Sequence, residues 1–298
     1  MSFDQLTHDN PAERFANIEP KAQGQEFPGK DADLKPHAEL GETTYRGTGR
    51  LIGRKALVTG GDSGIGAATA IAFAREGADV ALSFLPEEQE DAEHIASVIR
   101  EDGRKAVLLP GDIRDAAWCQ SLVDQAVEAL GGLDILVNNA GRQTYVNSIE
   151  ELSDEEFDAT MKTNIYAMHW ITKAAMPHLK PGAAIINTTS VQAYKPSPII
   201  AHYAATKAAI KAWTKAMSQD LAPEGIRVNA VAPGPVWTPL QVTQGQPPEK
   251  LEGFGQSTAL GRAGQPVEMA PAFVFLASPE ASFVVGEVVN VNGGQPTP

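Results

Sequence analysis

The sequence predicts an α/β fold built on one parallel sheet, seven strands wide, with helices on both faces. Short apolar runs alternate with helical patterns along most of the chain, which is the signature of parallel strands joined by helical crossovers. A glycine cluster separates the first run from the first helix. The chain has 298 residues, enough for one large α/β domain or two small ones.

Each strand is a run of about five residues. The first is Lys55 to Thr59, ending at the glycines, with a helical pattern from Ala67 to Glu76 behind it. Asp79 to Ser83 is the second, and a helix from Glu87 to Asp102 follows, amphipathic through Ile95, Val98 and Ile99. Lys105 to Leu109 is the third, before a helix from Ala116 to Leu130. Leu133 to Val137 is the fourth. Ala183 to Asn187 and Ile226 to Val231 each come after a long helical segment, and Glu287 to Val291 closes the series. Right-handed crossovers between such strands give the doubly wound, Rossmann-type arrangement.

Residues 1 to about 50 differ in texture. They are polar, punctuated by Pro11, Pro20, Pro28 and Pro36, and lack an apolar period, so they cannot fold alone. The segment is a disordered tail or an arm lying across the main domain or a neighbouring subunit. The arm is preferred, with Phe15, Phe27 and Tyr45 as anchors. Residues 51–298 then form a single domain.

The glycine cluster reads Thr59, Gly60, Gly61, Asp62, Ser63, Gly64, Ile65 and Gly66. Between a strand and a helix, Gly60 permits a tight turn, Gly64 lets backbone approach a pyrophosphate, and Gly66 lets helix and strand pack closely. The helix N-terminus offers unpaired N–H groups and a positive dipole to phosphates. The spacing is T-G-x-x-x-G-x-G rather than G-x-G-x-x-G. A second constellation lies far downstream. Tyr203 and Lys207 are one helical turn apart and project from one face, with Ser190 thirteen residues before the tyrosine. An ammonium group beside a phenol favours the phenolate, so the expectation is a tyrosine tuned toward neutrality for proton transfer to a carbonyl or from an alcohol.

These motifs occur in one order with Asn138, Asn139, Ala140 and Gly141 after the fourth strand, Asn164 in the next helix, and Pro233 and Gly234 after the sixth strand. In that order they resemble the short-chain dehydrogenase/reductase family of the single-domain kind, over roughly residues 51–294. The N-terminal extension and the wording of residues 60–66 are similar to bacterial general stress protein 39-like oxidoreductases. The resemblance implies that Tyr203 is the general acid in reduction and the base in oxidation. Lys207 would lower the tyrosine's pKa and bond the nicotinamide ribose, Ser190 would steady the substrate oxygen, and Asn164 would hold a water. It also implies a dinucleotide lying on Gly60, Asp62, Ser63, Gly64, Ile65, Gly66, Phe84, Asp112, Ile113, Asn139, Ala140, Gly141, Tyr203, Lys207, Pro233, Gly234, Val236 and Thr238. Asn138 would tie strands together. A long stretch from about 237 to 264 would be the substrate lid, with Trp237, Phe254, Gln192 and residues 194–198 shaping the pocket.

The resemblance implies NAD or NADP as the cofactor. Alignment puts Phe84 where an acidic residue would bind a ribose diol, which tilts the balance toward NADP, while the lack of a basic residue limits the tilt. Glu87 and Glu88 lie close enough to fold back onto a diol. The expected activity interconverts an alcohol and an aldehyde or ketone. The alternatives are a non-catalytic dinucleotide sensor, which typically loses the tyrosine or lysine, and an epimerase or dehydratase, which usually carries a larger C-terminal domain. Assembly as a homotetramer is expected, with Ala204, Ala205, Ala208, Ala209 and Ala212 allowing close helix approach.

Composition narrows the partners. A net charge of −13 argues against nucleic acid. No apolar run approaches a membrane span, and the first fifteen residues lack the regions of a signal peptide. One cysteine, Cys119, rules out an internal disulfide. A cytoplasmic location is therefore expected. No His, Cys, Asp or Glu grouping has metal-ligand spacing.

Overall fold

The computed structural model describes residues 4–297. Seven parallel strands form one sheet in the order β3-β2-β1-β4-β5-β6-β7. They are β1 (Lys55–Thr59), β2 (Asp79–Phe84), β3 (Ala106–Pro110), β4 (Ile135–Asn138), β5 (Ala184–Thr188), β6 (Arg227–Pro233) and β7 (Val288–Val291). The helices are α1 (Gly64–Arg75), α2 (Gln89–Glu101), α3 (Ala116–Leu130), α4 (Asp154–Met161), α5 (Ala167–Ala175), α6 (Ala201–Leu221) and α7 (Pro266–Ala277). The order reverses at β1, which pairs with β2 on one side and β4 on the other. Ligand crevices open at such a switch point, beyond the carboxyl ends of the strands.

The strands are apolar almost throughout because both faces are covered. On one face α1, α2 and α7 enclose Phe73, Ile71, Val80, Leu82 and Phe273. On the other, α3 and α5 enclose Leu122, Val123, Leu136 and Ile171. Alanines 67, 70 and 74 on α1 let it approach α7 closely, and all three are buried. Asp115 caps α3 by accepting the N–H of Ala117 at 2.8 Å, and Gly131, at φ 75°, ends it. The α4–α5 helix is interrupted by a π turn at Lys162–Tyr166, which carries Asn164. Cys119 is buried in the second core, where burial pushes its thiol up to about 12.

Residues 4–50 lack strands and helices, yet they lie on the domain as an arm. Leu34 is fully buried with Trp237, Val242, Leu251 and Ala263. Leu40 and Tyr45 join the core beside α1 and α7. The anchors differ in depth: Tyr45 is buried, whereas Phe27 is half exposed and Phe15 packs against the core's edge. Glu76 at the end of α1 is the arm's polar anchor. It accepts the Tyr45 hydroxyl at 2.9 Å, the Thr48 and Arg50 N–H groups at 2.9 and 3.0 Å, and the Arg50 guanidinium at 2.6 Å. Burial would raise its carboxyl, but these donors hold it down at about 2.

The stretch after β6 is the expected loop. A bridge between Val236 and Gly264 closes its base, a kinked π turn runs over Gln241–Gly245, and Gln244 takes φ 67°. The arm clasps it, with the Gln25 N–H donating to the Val242 carbonyl at 3.0 Å and the Trp237 indole donating to the Pro36 carbonyl at 2.8 Å.

Candidate active site

A cleft opens over the carboxyl ends of β1, β2, β4, β5 and β6. Ser190 follows β5, and Tyr203 and Lys207 stand on the first turns of α6. All three are buried to within a few per cent and line the cleft. The Lys207 amine sits 5.4 Å from the Tyr203 ring centre and donates to the Thr188 carbonyl at 2.8 Å. Thr189 fixes the helix by donating to the Lys207 carbonyl at 2.6 Å. The Ser190 hydroxyl accepts the Gln192 N–H at 3.1 Å.

The expected tuning of the phenol is not what this geometry gives. Burial pushes Tyr203 up to about 12, opposed only by its hydrogen bond to Ser190. Burial also brings Lys207 down to about 8. The amine is turned to a carbonyl rather than to the phenol, so desolvation outweighs the neighbouring charge. Burial thus favours the neutral, hydrogen-bond-donating form of Tyr203.

Asn164 does not line the main cleft. From the π turn its side-chain oxygen accepts the Arg142 N–H at 2.8 Å, and its NH₂ donates to the Arg142 carbonyl and the Thr206 hydroxyl, both at 3.0 Å. It still converges with Lys207. A Cβ placed on Gly141 would lie 3.7 Å from the lysine nitrogen and 3.8 Å from the Asn164 oxygen.

Of the residues expected against a dinucleotide, Gly60, Asp62, Ser63, Gly64, Ile65, Phe84, Asp112, Ile113, Asn139, Ala140, Gly141, Pro233, Gly234, Val236 and Thr238 all line the cleft. Gly66 does not. It packs behind the loop, where a Cβ would come within 1.8 Å of the Gly60 carbonyl oxygen. Asn139 moors the loop, its N–H donating to the Thr59 hydroxyl at 2.9 Å and its NH₂ to the Thr59 carbonyl at 3.1 Å. Asn138 ties β4 to β5 by donating to Asn187 at 2.9 Å. Asp112 is gripped by Arg114 at 2.6 Å, which holds its carboxyl below the usual range against the effect of burial.

Phe27, Glu88, Arg114, Thr163, Thr188, Leu240 and Gln241 also line the cleft and were not singled out as contacts, apart from the mention of Glu88. Only Glu88 had a signal in the sequence, its closeness to the end of β2. Phe27 arrives from the arm, and Arg142 stacks on its ring at 4.4 Å. Four expected pocket elements lie elsewhere. Trp237 is fully buried under the arm, and Phe254 packs beside it. Gln192 accepts the Ser197 N–H at 2.7 Å, and Tyr194 packs on Ala230, Ala232 and Val288. Among the described residues no cluster suited to a metal ion occurs, and no helix is long and apolar enough to cross a membrane.

A family model described as enoyl-(acyl carrier protein) reductase matches residues 60–295. The uncharacterized oxidoreductase YhxD of Bacillus subtilis is 53% identical over 300 residues, covering 100% of both chains. General stress protein 39 of the same organism is 47% identical over 90% of this chain and 93% of its own. The NADPH-dependent aldehyde reductase 1 of Arabidopsis thaliana is 40% identical over 90% of this chain and 94% of its own. The crystal structure of a short chain dehydrogenase from Burkholderia cenocepacia in complex with NADP is 37% identical, with a TM-score of 0.77, and covers 82% of this chain and 98% of that one.

Proposed function

The chain belongs to the short-chain dehydrogenase/reductase family, and on that footing we propose that it is an NAD(P)-dependent oxidoreductase acting on CH–OH groups, interconverting an alcohol and an aldehyde or ketone. The observation that carries this is the convergence of Ser190, Tyr203 and Lys207, all buried, on one wall of the cleft whose far end is the glycine loop. The cleft suits a nicotinamide dinucleotide. Gly60 takes φ 60° and Gly64 φ 50°, and a side chain at Gly64 would come within 3.0 Å of Thr238. At the same end, buried Asp62 keeps an oxygen with no hydrogen-bond partner among the described residues.

The dinucleotide, when bound, supplies or accepts the hydride. The chain's residues handle the proton. In reduction the Tyr203 phenol donates it to the carbonyl oxygen, which Ser190 also hydrogen-bonds. Lys207 is a cation below about pH 8 and stabilises the phenolate left behind. Asn164 positions the backbone at Arg142 and the hydroxyl of Thr206 beside that lysine. Oxidation runs the same steps in reverse. The complete set of side chains speaks against a sensor that only binds the dinucleotide.

Assembly through α6 extends the proposal. Ala205, Ala209 and Ala212 are exposed on α6, and the exposed Phe157 and Tyr166 lie on the adjoining α4–α5 helix. These faces suit helix-to-helix contacts in a homotetramer, which light scattering would test. The activity itself is tested by screening aldehydes, ketones, sugars and polyols with each dinucleotide while following nicotinamide absorbance. Binding of a dinucleotide with no turnover across that panel would favour the sensor.

A further inference from the structure

The glycine-loop end of the cleft carries two carboxyl groups that the protein leaves incompletely satisfied. Asp62 is 1% exposed, and its Oδ2 has no hydrogen-bond partner among the described residues. Glu88, at the entry to α2, accepts the Leu85 N–H at 2.9 Å through one oxygen. Both line the cleft beside Ser63, Phe84 and Leu85. Burial lifts Asp62 to about 6, and burial together with the charge of Asp62 lifts Glu88 to about 8.

Among the described residues no cation pairs with either carboxyl. Asp31 and Glu42 of the arm and Glu87, Glu90 and Asp91 around the entry to α2 add negative charge. His37 and His94 face the cavity behind Asp62, and His94 is paired with Glu42. Lys30 acts on Asp91. Arg114 is bound to Asp112 across the cleft.

A buried carboxyl oxygen without a donor is costly and is satisfied by an O–H or N–H group. The adenosine ribose of NAD(H) carries two free hydroxyls. That of NADP(H) carries a phosphate in place of one, and close like charges repel. Resting on the dinucleotide reading above, we propose that Asp62 and Glu88 together receive the adenosine ribose diol of NAD(H) and exclude NADP(H) until the pair takes up protons. The selecting carboxyls come from the glycine loop and the entry to α2, since the end of β2 offers only Phe84. Hydroxyl donors stabilise the ionised pair, so NAD(H) binding releases protons near neutral pH. A phosphate demands the neutral pair, so NADP(H) binding takes protons up.

The test is the affinity of the full chain for NADH and NADPH, read by nicotinamide fluorescence between about pH 6 and about pH 9, with calorimetry in buffers of unequal ionisation heat. At about pH 9 NADH is expected to bind about tenfold or more tightly than NADPH, a gap of about 1.4 kcal/mol or more. The gap narrows toward about pH 6. Asp62→Asn and Glu88→Gln each shrink it at about pH 9 and flatten its pH dependence. The phosphate's own titration near ~6 persists in both variants, so only the lost part belongs to the pair. Should Asp62→Asn fail to fold, Glu88→Gln on the outer wall carries the test. NADPH binding as tightly as NADH at about pH 9, or a gap that neither variant changes, overturns the proposal. Turnover with both dinucleotides and no preference removes it alone, whereas failure of the wild-type chain to bind either one removes the proposed function as well.

Discussion

At the Tyr203 end of the cleft, the polar side chains come from β5, α6 and the turn between them, and the backbone holds them in place. Lys207 is pinned to Thr188, the Lys207 carbonyl to Thr189, and Ser190 to the N–H of Gln192. At the glycine-loop end, the polar groups come from the loop, the entry to α2 and residue 31 of the arm, remote in sequence. Asp31 and Asp62 each keep an enclosed oxygen with no partner among the described residues. On the proposed function, one end is organised around a proton that must move in a fixed geometry, the other around a ligand that brings its own donors. Short sequence spacings reveal the paired side chains of α6 and the glycine loop itself, but not the carboxyl groups that gather beside that loop from the entry to α2 and the arm.

The sharpest way to break the contrast is at the tyrosine. Tyr203→Phe removes the acid and little else from a buried ring, so turnover is expected to fall about a thousandfold, within the range of general acid catalysis. Dinucleotide affinity, read by fluorescence, stays within a few-fold. Comparable losses of affinity and turnover would place the phenol in binding rather than proton transfer.

A change in the arm should do the reverse. Leu34 is fully buried with Trp237, Val242 and Leu251, so Leu34→Ala is expected to lower stability by about 2–5 kcal/mol. A reduced urea midpoint would show it. A midpoint within error of wild type would mean that the arm rests on the loop without holding it.

The lysine gives a pH signature confined to the catalytic end. Lys207 is lowered to about 8 by burial, so the cation that stabilises the phenolate is lost as pH rises through that value. The turnover number for carbonyl reduction is expected to fall about tenfold per unit above about pH 8. A profile flat to about pH 10 would contradict the role.

The strands were readable because a sheet covered on both faces needs continuous apolar runs, and only their ends moved. β4 begins at Ile135 rather than Leu133, and β3 extends to Pro110. The placing of Tyr203 beside Lys207 in the cleft was readable because one helical turn sets their spacing. What the sequence could not convey is contact over long separations. Proline-rich residues 25–36 carry no period, yet their backbone groups and Leu34 find partners on the loop near residue 240. Trp237 was expected in the pocket because the resemblance makes its loop a substrate lid, but the arm covers it. The balance of burial against charge at Tyr203 was equally out of reach, because residue spacing says nothing of desolvation.

The smallest expected effect comes from Asp31, where the arm meets the glycine loop. Ser63, at the N-cap of α1, makes no side-chain capping bond. Asp31 caps the helix instead, its Oδ2 accepting the Gly64 N–H at 2.7 Å, while its own N–H donates to Asp91 at 2.7 Å. Burial raises the Asp31 carboxyl from its ordinary 3.8 to about 7, with Asp91 and Asp62 adding to the rise against the Gly64 bond. Because the folded value is the higher one, the neutral form is favoured by folding. Its contribution is whole below about pH 4 and is lost as pH rises through about 7. Asp31→Asn keeps an acceptor for Gly64 and cannot ionise. The variant should match wild type in mild acid and exceed it by about 1 kcal/mol at about pH 9, as measured by urea midpoints across the range. Parallel stability curves for the two proteins would show that Asp31 stays ionised throughout, and that the arm is held at this end by backbone contacts alone.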